Sequence, residues 1–202
     1  PTEIFQHQGS DALRWYFPST GILRGGDLRI SDAGIDEVVR RVLLPIWSAY
    51  SFFTLYANVD GHRARFRTDS EHLLDRYMLA KTQQLVTSVS ERMDAYDLPG
   101  ATEAIGGFVD ALNNWYIRRS RNRFWAPNSA ENAADKRDAH DTLYTVMTTF
   151  TRVAAPFLPM VAEEIHSGLT GGSSVHLADW PDPDGLPGDH GMVGARDRGR
   201  AG

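Results

Sequence analysis

The stretch that decides the fold of this 202-residue chain is Asn114-Trp115-Tyr116-Ile117-Arg118-Arg119-Ser120-Arg121-Asn122-Arg123-Phe124-Trp125. Four arginines fall within six of its residues, and four aromatic side chains surround them. We predict that it ends a helix opened by Pro99, because proline is favoured in a first helical turn. Apolar residues follow with helical spacing at Ile105, Phe108, Leu112 and Tyr116.

The arginines of this stretch divide between two faces of the predicted helix. At about 100° per residue, Arg118 and Arg121 share one face with Trp125, whereas Arg119 and Arg123 share another. Guanidinium groups bind phosphate through a planar fork, and both arginine and indole planes stack on exposed bases. Recognition of single-stranded RNA needs this mixture of positive charge and flat surface.

A structural interpretation of the same arginines is equally open. Arg119 and Arg123 lie at nearly the same angle as the apolar residues of the helix, so their stems could cover the core. Their guanidinium groups would then pair with carboxylates such as Asp75, Glu163 or Glu164. On this interpretation only Arg118 and Arg121 face RNA.

Other helical patterns predict an all-α fold. Ser31 is a plausible N-cap for a helix that runs to a stop at Asn58–Gly61 and is kinked or divided by Pro45. A further helix should begin near Thr68 or Asp69, because Thr68 and Glu71 have capping-box spacing. In the second half of the chain we expect a loop over 127–135, a helix through Leu143–Val153, and a helix opened by Pro156 and Pro159 that ends near Gly168–Gly172. Near the N-terminus we expect short helices within 1–30 and a turn at Gly21–Gly26. Short extended segments are expected at Leu28–Ile30 and Ser174–Leu177.

These elements predict an antiparallel helical bundle with a small irregular N-terminal lobe. The expected divisions are a lobe over 1–30, a bundle over 31–172, and a short extended segment with a flexible tail over 173–202. The tail from Asp182 onward is rich in Gly, Pro, Asp and Arg, so we expect it to be poorly ordered.

Composition limits the chemistry available to the chain. The sequence has no cysteine, which excludes disulfides and sulfur-ligated zinc, and its histidines are scattered singly. It has no Gly-x-Gly-x-x-Gly, P-loop, Gly-x-Ser-x-Gly or His-Glu-x-x-His motif, so we expect no catalytic residues. No apolar run approaches the roughly 18–20 residues that span a bilayer, and we expect a cytoplasmic location. The net charge of −5 counts mildly against RNA binding, which would need a local basic patch.

The stretch Asn114–Trp125 resembles the signature helix of the anticodon-binding domain of isoleucyl-tRNA synthetases, which are class I aminoacyl-tRNA synthetases. Five further segments resemble the same family in the same order, over about 175 residues in all. They are Gly9-Ser-Asp-Ala-Leu-Arg-Trp-Tyr16, Trp47-Ser-Ala-Tyr-Ser-Phe-Phe53 through Tyr56-Ala-Asn-Val-Asp-Gly61, Leu74-Asp-Arg-Tyr-Met-Leu79, Ala155-Pro-Phe-Leu-Pro-Met-Val-Ala-Glu-Glu-Ile165 and Ser174-Val-His-Leu-Ala-Asp-Trp-Pro181.

The resemblance implies that the bundle holds the anticodon arm of the tRNA for isoleucine and that the N-terminal lobe contacts the inner corner of the tRNA. It makes Arg118, Arg119, Arg121 and Arg123 candidates for phosphate or base contacts, and Trp115 and Trp125 candidates for stacking. Arg14 and Trp15 are expected to pack the lobe against the bundle or against a catalytic domain of the same chain.

The family joins isoleucine to its tRNA with ATP and magnesium in a catalytic domain that carries His-x-Gly-His and Lys-Met-Ser-Lys-Ser motifs. Neither motif occurs here, so we expect an inactive, monomeric fragment with no cofactor of its own. Zinc would be bound only in regions outside this chain. Two alternatives remain: the same domain of a valine-type synthetase, and a helical scaffold for protein interactions that does not contact RNA.

Overall fold

The computed structural model describes residues 2–20 and 30–188, and within them it is built from helices, turns and irregular segments without a strand. The α-helices are α1 (Thr2–His7), α2 (Ser10–Ser19), α3 (Asp32–Val38), α4 (Leu44–Asp60), α5 (Leu73–Asp94), α6 (Leu98–Asp110), α7 (Arg118–Trp125), α8 (Ala133–Ala154) and α9 (Pro159–Thr170). Short 3-10 helices follow at Val175–Leu177 and Pro183–Gly185. The predicted all-α bundle is confirmed.

Two helices of the bundle contain a π-helical segment in which the chain winds more widely. Val39–Leu43 joins α3 to α4, and Ala111–Ile117 joins α6 to α7, so each set of three segments forms one continuous helix. The first segment lies immediately before Pro45, which sits in the first turn of α4. The wider turn accommodates a residue that has no N–H and whose ring crowds the preceding turn. Pro45 therefore changes the winding of the helix without ending it.

One apolar core runs through the bundle and includes the N-terminal helices. Its largest buried side chains come from α3 to α8, and Phe108 stacks in parallel on Phe150 with 5.6 Å between the ring centroids. Ala12 and Trp15 of α2 belong to the same core. Asp11, which is almost fully buried, accepts hydrogen bonds from the Met160 and Val161 N–H groups (3.3 and 2.8 Å) and so caps the start of α9.

Several local predictions about helix ends are confirmed, and one is wrong. Ser31 Oγ accepts the Gly34 N–H at 3.2 Å, as an N-cap does. Gly61 ends α4 with φ +62°, in the left-handed region that glycine adopts without strain. Helix α5 does not begin at Thr68 or Asp69. It begins after His72, whose Nδ1 accepts the Leu74 N–H, because residues 62–71 lie extended along α8.

The C-terminal part of the described chain also differs from expectation. Val175–Leu177 forms a 3-10 turn rather than a strand. Residues 182–188 pack against the bundle: Leu186 is buried, and Gln83 Nε2 donates to its carbonyl oxygen at 3.3 Å. This single apolar residue docks the segment onto α5. The expected tail beyond residue 188, the turn at Gly21–Gly26 and most of the extended segment at Leu28–Ile30 lie outside the described residues.

The continuous helix from Asp32 to Asp60 is long and apolar enough to cross a membrane, judged by length and composition alone, because it contains an 18-residue window with a mean hydropathy of 1.3. The length of uninterrupted apolar runs does not reveal this helix, because polar residues interrupt the apolar sequence without ending the helix. Ile46, Ala49 and Phe53 of this helix lie in the core, as expected of a bundle helix. Core helices pass the same test, so it carries no conclusion about membranes.

A buried polar network fixes three helix ends at one end of the bundle. Lys136 Nζ donates to Asp60 Oδ1 (2.7 Å), to the Ala126 carbonyl oxygen (2.8 Å) and to Asn128 Oδ1 (2.9 Å). His140 Nε2 lies 2.9 Å from Asp60 Oδ2. The network thus joins the end of α4, the end of α7 and the start of α8.

The charges of this network are set by burial and hydrogen bonding. Burial raises the pKa of Asp60, but hydrogen bonds from Lys136 and His140 outweigh it and the net pKa is lowered. Burial lowers the pKa of His140, and the hydrogen bond to Asp60 opposes that shift only in part. His140 Nδ1 is buried and has no described partner, so a proton there would be unsatisfied. His140 is therefore neutral, with its Nε2–H donating to Asp60.

We predict that the domain loses stability as the pH falls below about 6.5, the ordinary pKa of histidine. Because the pKa of His140 is lowered in the folded state, the unfolded chain takes up its proton first, and acidification favours unfolding until the folded pKa is reached. His166, whose pKa is also lowered by burial, acts in the same direction. Each histidine can contribute up to about 1.4 kcal/mol per pH unit to the free energy of unfolding.

Urea unfolding at several pH values between 7.5 and 5 measures this slope. His140→Gln keeps a side-chain N–H for Asp60 but does not titrate, so its slope should be shallower by up to one proton. An unchanged slope in that variant would contradict a neutral, buried His140.

Candidate nucleic-acid interface

The four arginines of α7 occupy three different environments, and Arg123 is the one inside the protein. Its Nη1 and Nη2 donate to Asp75 Oδ1 (2.6 Å) and Oδ2 (2.9 Å), and its Nε donates to Asp135 Oδ1 (2.9 Å). The side chain of Arg123 is 9% exposed and that of Asp75 is fully buried. Arg123 thus forms the bidentate pair that the structural interpretation proposed, and it leaves the set of candidate RNA contacts.

The Asp75 carboxylate is a centre of hydrogen bonding. The Tyr116 hydroxyl donates to Oδ1 at 2.9 Å, and the Ser70 hydroxyl donates to Oδ2 at 2.7 Å. Burial raises the pKa of Tyr116 well above its usual range, and the Asp75 charge adds to the shift. For Arg123, burial lowers the pKa, but the hydrogen bond and charge of Asp75 outweigh it, so the net pKa is raised. The guanidinium therefore stays charged and the phenol stays neutral.

Arg119 does not share the environment of Arg123, although the helical wheel placed the two together. It is exposed, and its guanidinium carbon lies 3.8 Å from the centroid of the Trp115 ring. This is cation–π geometry, and it covers one face of the indole. Trp115 is half-buried beside Tyr77, so a base has little access to it. Trp115 is better placed to orient Arg119 than to stack on RNA.

Arg118 and Arg121 remain as fully solvent-facing cations. Both are exposed, and within the described part of the chain no carboxylate forms an ion pair with either. Trp125 is 55% exposed, and its indole N–H donates to the Tyr56 hydroxyl at 2.7 Å. The hydrogen bond fixes the ring at the end of α7 while leaving much of its surface open. These three side chains, with Arg119, form the α7 surface.

Arg14 and Trp15 both contact the segment between α8 and α9. Arg14 Nη2 donates to the Pro156 carbonyl oxygen at 3.3 Å, and Trp15 packs edge-to-face on Phe157 with 6.2 Å between ring centroids. Of the two packing roles expected for them, contact with the bundle is therefore present. Glu163 and Glu164 do not pair with α7. Glu163 instead accepts hydrogen bonds from Ser174 and from the Val175 N–H.

Sequence reasoning missed the residues that fix the end of α7. Lys136 and Asp60 showed no motif, because their pairing spans 76 residues of sequence. It also missed the segment His62-Arg63-Ala64-Arg65-Phe66-Arg67, whose alternating arginines were a visible signal. Among the described residues, no group of three or more His, Cys, Asp or Glu could hold a metal ion.

The model of the family described as "Anticodon-binding domain of tRNA ligase" matches residues 75–195 of this chain. The chain belongs to this family. The match includes α7 and both carboxylates that hold Arg123.

Curated relatives agree with this assignment. The chain is 52% identical over 199 residues to the isoleucine–tRNA ligase of Leifsonia xyli, 51% identical to that of Mycobacterium tuberculosis, and 45% identical over 201 residues to that of Tropheryma whipplei. Each match covers 98% of the chain but 18% of the relative. The anticodon-binding domain described here thus spans about a fifth of the length of the curated relatives it matches.

A solved structure shows the same fold. The chain aligns with the LeuRS of Agrobacterium radiobacter K84, crystallised as a ternary complex with tRNA and LeuAMS. The TM-score is 0.63 at 17% identity, over 96% of this chain and 21% of that protein. The predicted resemblance to class I synthetases is therefore confirmed at the level of fold and family.

We predict that Arg123→Ala destabilises this domain by about 3–5 kcal/mol, because it leaves the buried Asp75 carboxylate without its cation. Arg121→Ala is the matched control on the same helix, since it removes an exposed arginine with no described carboxylate partner and should change stability by no more than about 0.5 kcal/mol. Urea unfolding followed by circular dichroism measures both. Equal midpoints for the two variants would refute the division of α7 into buried and exposed arginines.

Proposed function

We propose that this chain is the anticodon-arm binding part of an isoleucine–tRNA ligase and that it binds the tRNA for isoleucine through the α7 surface. The observation that carries the proposal is the exposure of Arg118 and Arg121, unpaired within the described residues, beside the fixed and open ring of Trp125. Exposed arginines that the fold does not need for stability can bind phosphates, and an exposed aromatic ring beside them can stack on an unstacked base.

Net charge does not oppose this function. Of the residues that make the chain acidic, Asp75 and Asp135 are engaged by Arg123, and Asp60 by Lys136. Two buried cations thus compensate two of these three charges, and the exposed arginines add positive charge along α7. The remaining acidic residues of the chain limit non-specific binding to other polyanions. Arg119, held over Trp115, adds a third cation to the surface.

The whole protein is proposed to attach isoleucine to its tRNA, using ATP and magnesium in a catalytic domain elsewhere in the same polypeptide. Isoleucine is preferred over valine because the similar relatives named above are isoleucine–tRNA ligases. The domain contributes by positioning: remote binding energy at the anticodon arm orients the acceptor end for reaction. The chain itself would be inactive, without cofactor, monomeric and cytoplasmic, with any zinc bound in other regions.

Titration of this chain with the tRNA for isoleucine, over a series of salt concentrations, tests the proposal. Binding should weaken as salt rises, because each bound phosphate releases condensed counterions. Arg118→Ala/Arg121→Ala should weaken binding and flatten the slope of log K against log salt by about 0.7–0.9 for each phosphate that the variant no longer binds. Its stability should remain that of the unmodified chain.

Arg118→Lys/Arg121→Lys is the matched control, since it keeps both charges and removes only the planar forks. Its salt slope should be preserved even where affinity falls. The tRNA for valine serves as the comparison RNA. Absence of binding at low salt by a folded chain would overturn the RNA function and favour the protein-interaction scaffold.

A further inference from the structure

A second basic surface lies where α4 ends and α8 begins. It consists of the segment His62–Arg67, between α4 and α5, together with Arg137 of α8, and it is here called the 62–67 surface. These residues and Asp141 line an open cavity of about 520 Å³. No residue of α7 lines it, so it is distinct from the α7 surface.

The segment is held against α8 by hydrogen bonds from its backbone. The Arg65 N–H donates to Asp141 Oδ1 at 3.0 Å, and the Arg67 N–H donates to Thr145 Oγ1 at 2.7 Å. His62 Nε2 lies 2.8 Å from the same Asp141 oxygen. Arg63 and Arg65 are exposed, whereas His62 and Ala64, which alternate with them, are partly buried. The backbone geometry thus presents a short row of arginines from a rigid support.

This surface carries a small excess of positive charge, because Arg63, Arg65, Arg67 and Arg137 are set against three carboxylates, Asp69, Asp138 and Asp141. Arg67 forms ion pairs with Asp69 and Asp138, and the one Asp141 oxygen that faces the segment is already engaged. Arg63, Arg65 and Arg137 are exposed, and no described carboxylate pairs with them. Phe66, between two of the arginines, is 52% exposed. Neither the exposed aromatic ring nor the three unpaired cations contribute to the core.

The network around Lys136 joins this surface to the α7 surface. Lys136 holds the Ala126 carbonyl at the end of α7 and precedes Arg137, and His62 packs its ring 5.2 Å from that of His140. Both surfaces therefore lie at the same end of the bundle, and their relative position is fixed by buried hydrogen bonds. An RNA loop held at the end of α7 would extend within reach of the second surface.

We propose that the 62–67 surface is a second binding site for single-stranded RNA, in which Arg63, Arg65 and Arg137 bind phosphates and Phe66 stacks on a base. This inference rests on the proposed function and locates further contacts for the same ligand class. The alternation of burial supports it, because it leaves the two guanidinium groups of Arg63 and Arg65 accessible to solvent next to the exposed Phe66 ring. Flat aromatic surface interleaved with arginine is the arrangement that single strands require.

The test uses this chain and an anticodon stem-loop hairpin of the tRNA for isoleucine. Arg63→Ala/Arg65→Ala should weaken binding about tenfold and flatten the salt slope by about 1.5, because two phosphates are then no longer bound. Phe66→Ala should weaken binding at least about fivefold without changing the salt slope, because stacking releases no counterions. The two variants therefore give different signatures for one site.

Two controls make the result specific. Arg63→Lys/Arg65→Lys keeps the charges and should keep the salt slope. Lys81→Ala removes one positive charge from α5, at a cavity that neither α7 nor the 62–67 segment lines, and should bind the hairpin as the unmodified chain does. Circular dichroism establishes that each variant is folded.

The outcomes separate this inference from the proposed function. If the unmodified chain binds the hairpin and Arg118→Ala/Arg121→Ala weakens it, while Arg63→Ala/Arg65→Ala and Phe66→Ala bind normally, the second site is refuted and the function stands. If the unmodified, folded chain does not bind, both fail. A salt slope lowered equally by Lys81→Ala would also overturn the inference, because the effect would then reflect total charge.

Discussion

The Asp75 carboxylate is the interaction on which the rest of this domain depends. It is fully buried near the start of α5 and accepts hydrogen bonds from Arg123, Tyr116 and Ser70. Tyr116 lies in the π-helical segment and Arg123 in α7, so one carboxylate fixes the rotation of the whole C-terminal part of that helix against α5. A buried charge without partners destabilises a fold by several kcal/mol. Other rotations of the helix would leave the Asp75 carboxylate without these partners, so the penalty favours the observed rotation.

The π-helical segment before α7 shifts the residues of α7 relative to the core stripe, and the partners of each arginine then decide which ones are buried. A wheel drawn at a constant 100° per residue placed Arg119 and Arg123 together, in line with core residues such as Leu112. In the structure the helix winds more widely over Ala111–Ile117, and that changes the relation between the core stripe and the residues that follow. Arg123 reaches Asp75, whereas Arg119 rests on Trp115 in contact with solvent.

The sequence predicted those elements whose signals are local. Ser31 as a cap, Gly61 as a stop and the helix opened at Pro159 depend on neighbouring residues, and each is present. The start of α5 was wrong because the capping-box pair Thr68 and Glu71 lost to a tertiary effect, the binding of the preceding extended segment to α8. The family resemblance was readable because α7 has an unusual composition. The roles of the arginines in α7 could not be predicted in the same way, because they depend on Asp75 and Asp135. No rule of sequence spacing connects these two carboxylates with α7.

The same division explains how an acidic chain can present a basic surface. Arg123 and Lys136 are the cations that neutralise buried carboxylates, and both are removed from solvent in doing so. The arginines that remain exposed, on α7 and on the 62–67 surface, contribute little to stability and can be used for binding. Because the buried pairs join α4, α5, α7 and α8 at their ends, they also hold the exposed cations in fixed relative positions. The structural arginine and the binding arginines of α7 thus depend on each other: the buried pair sets the rotation that exposes the rest.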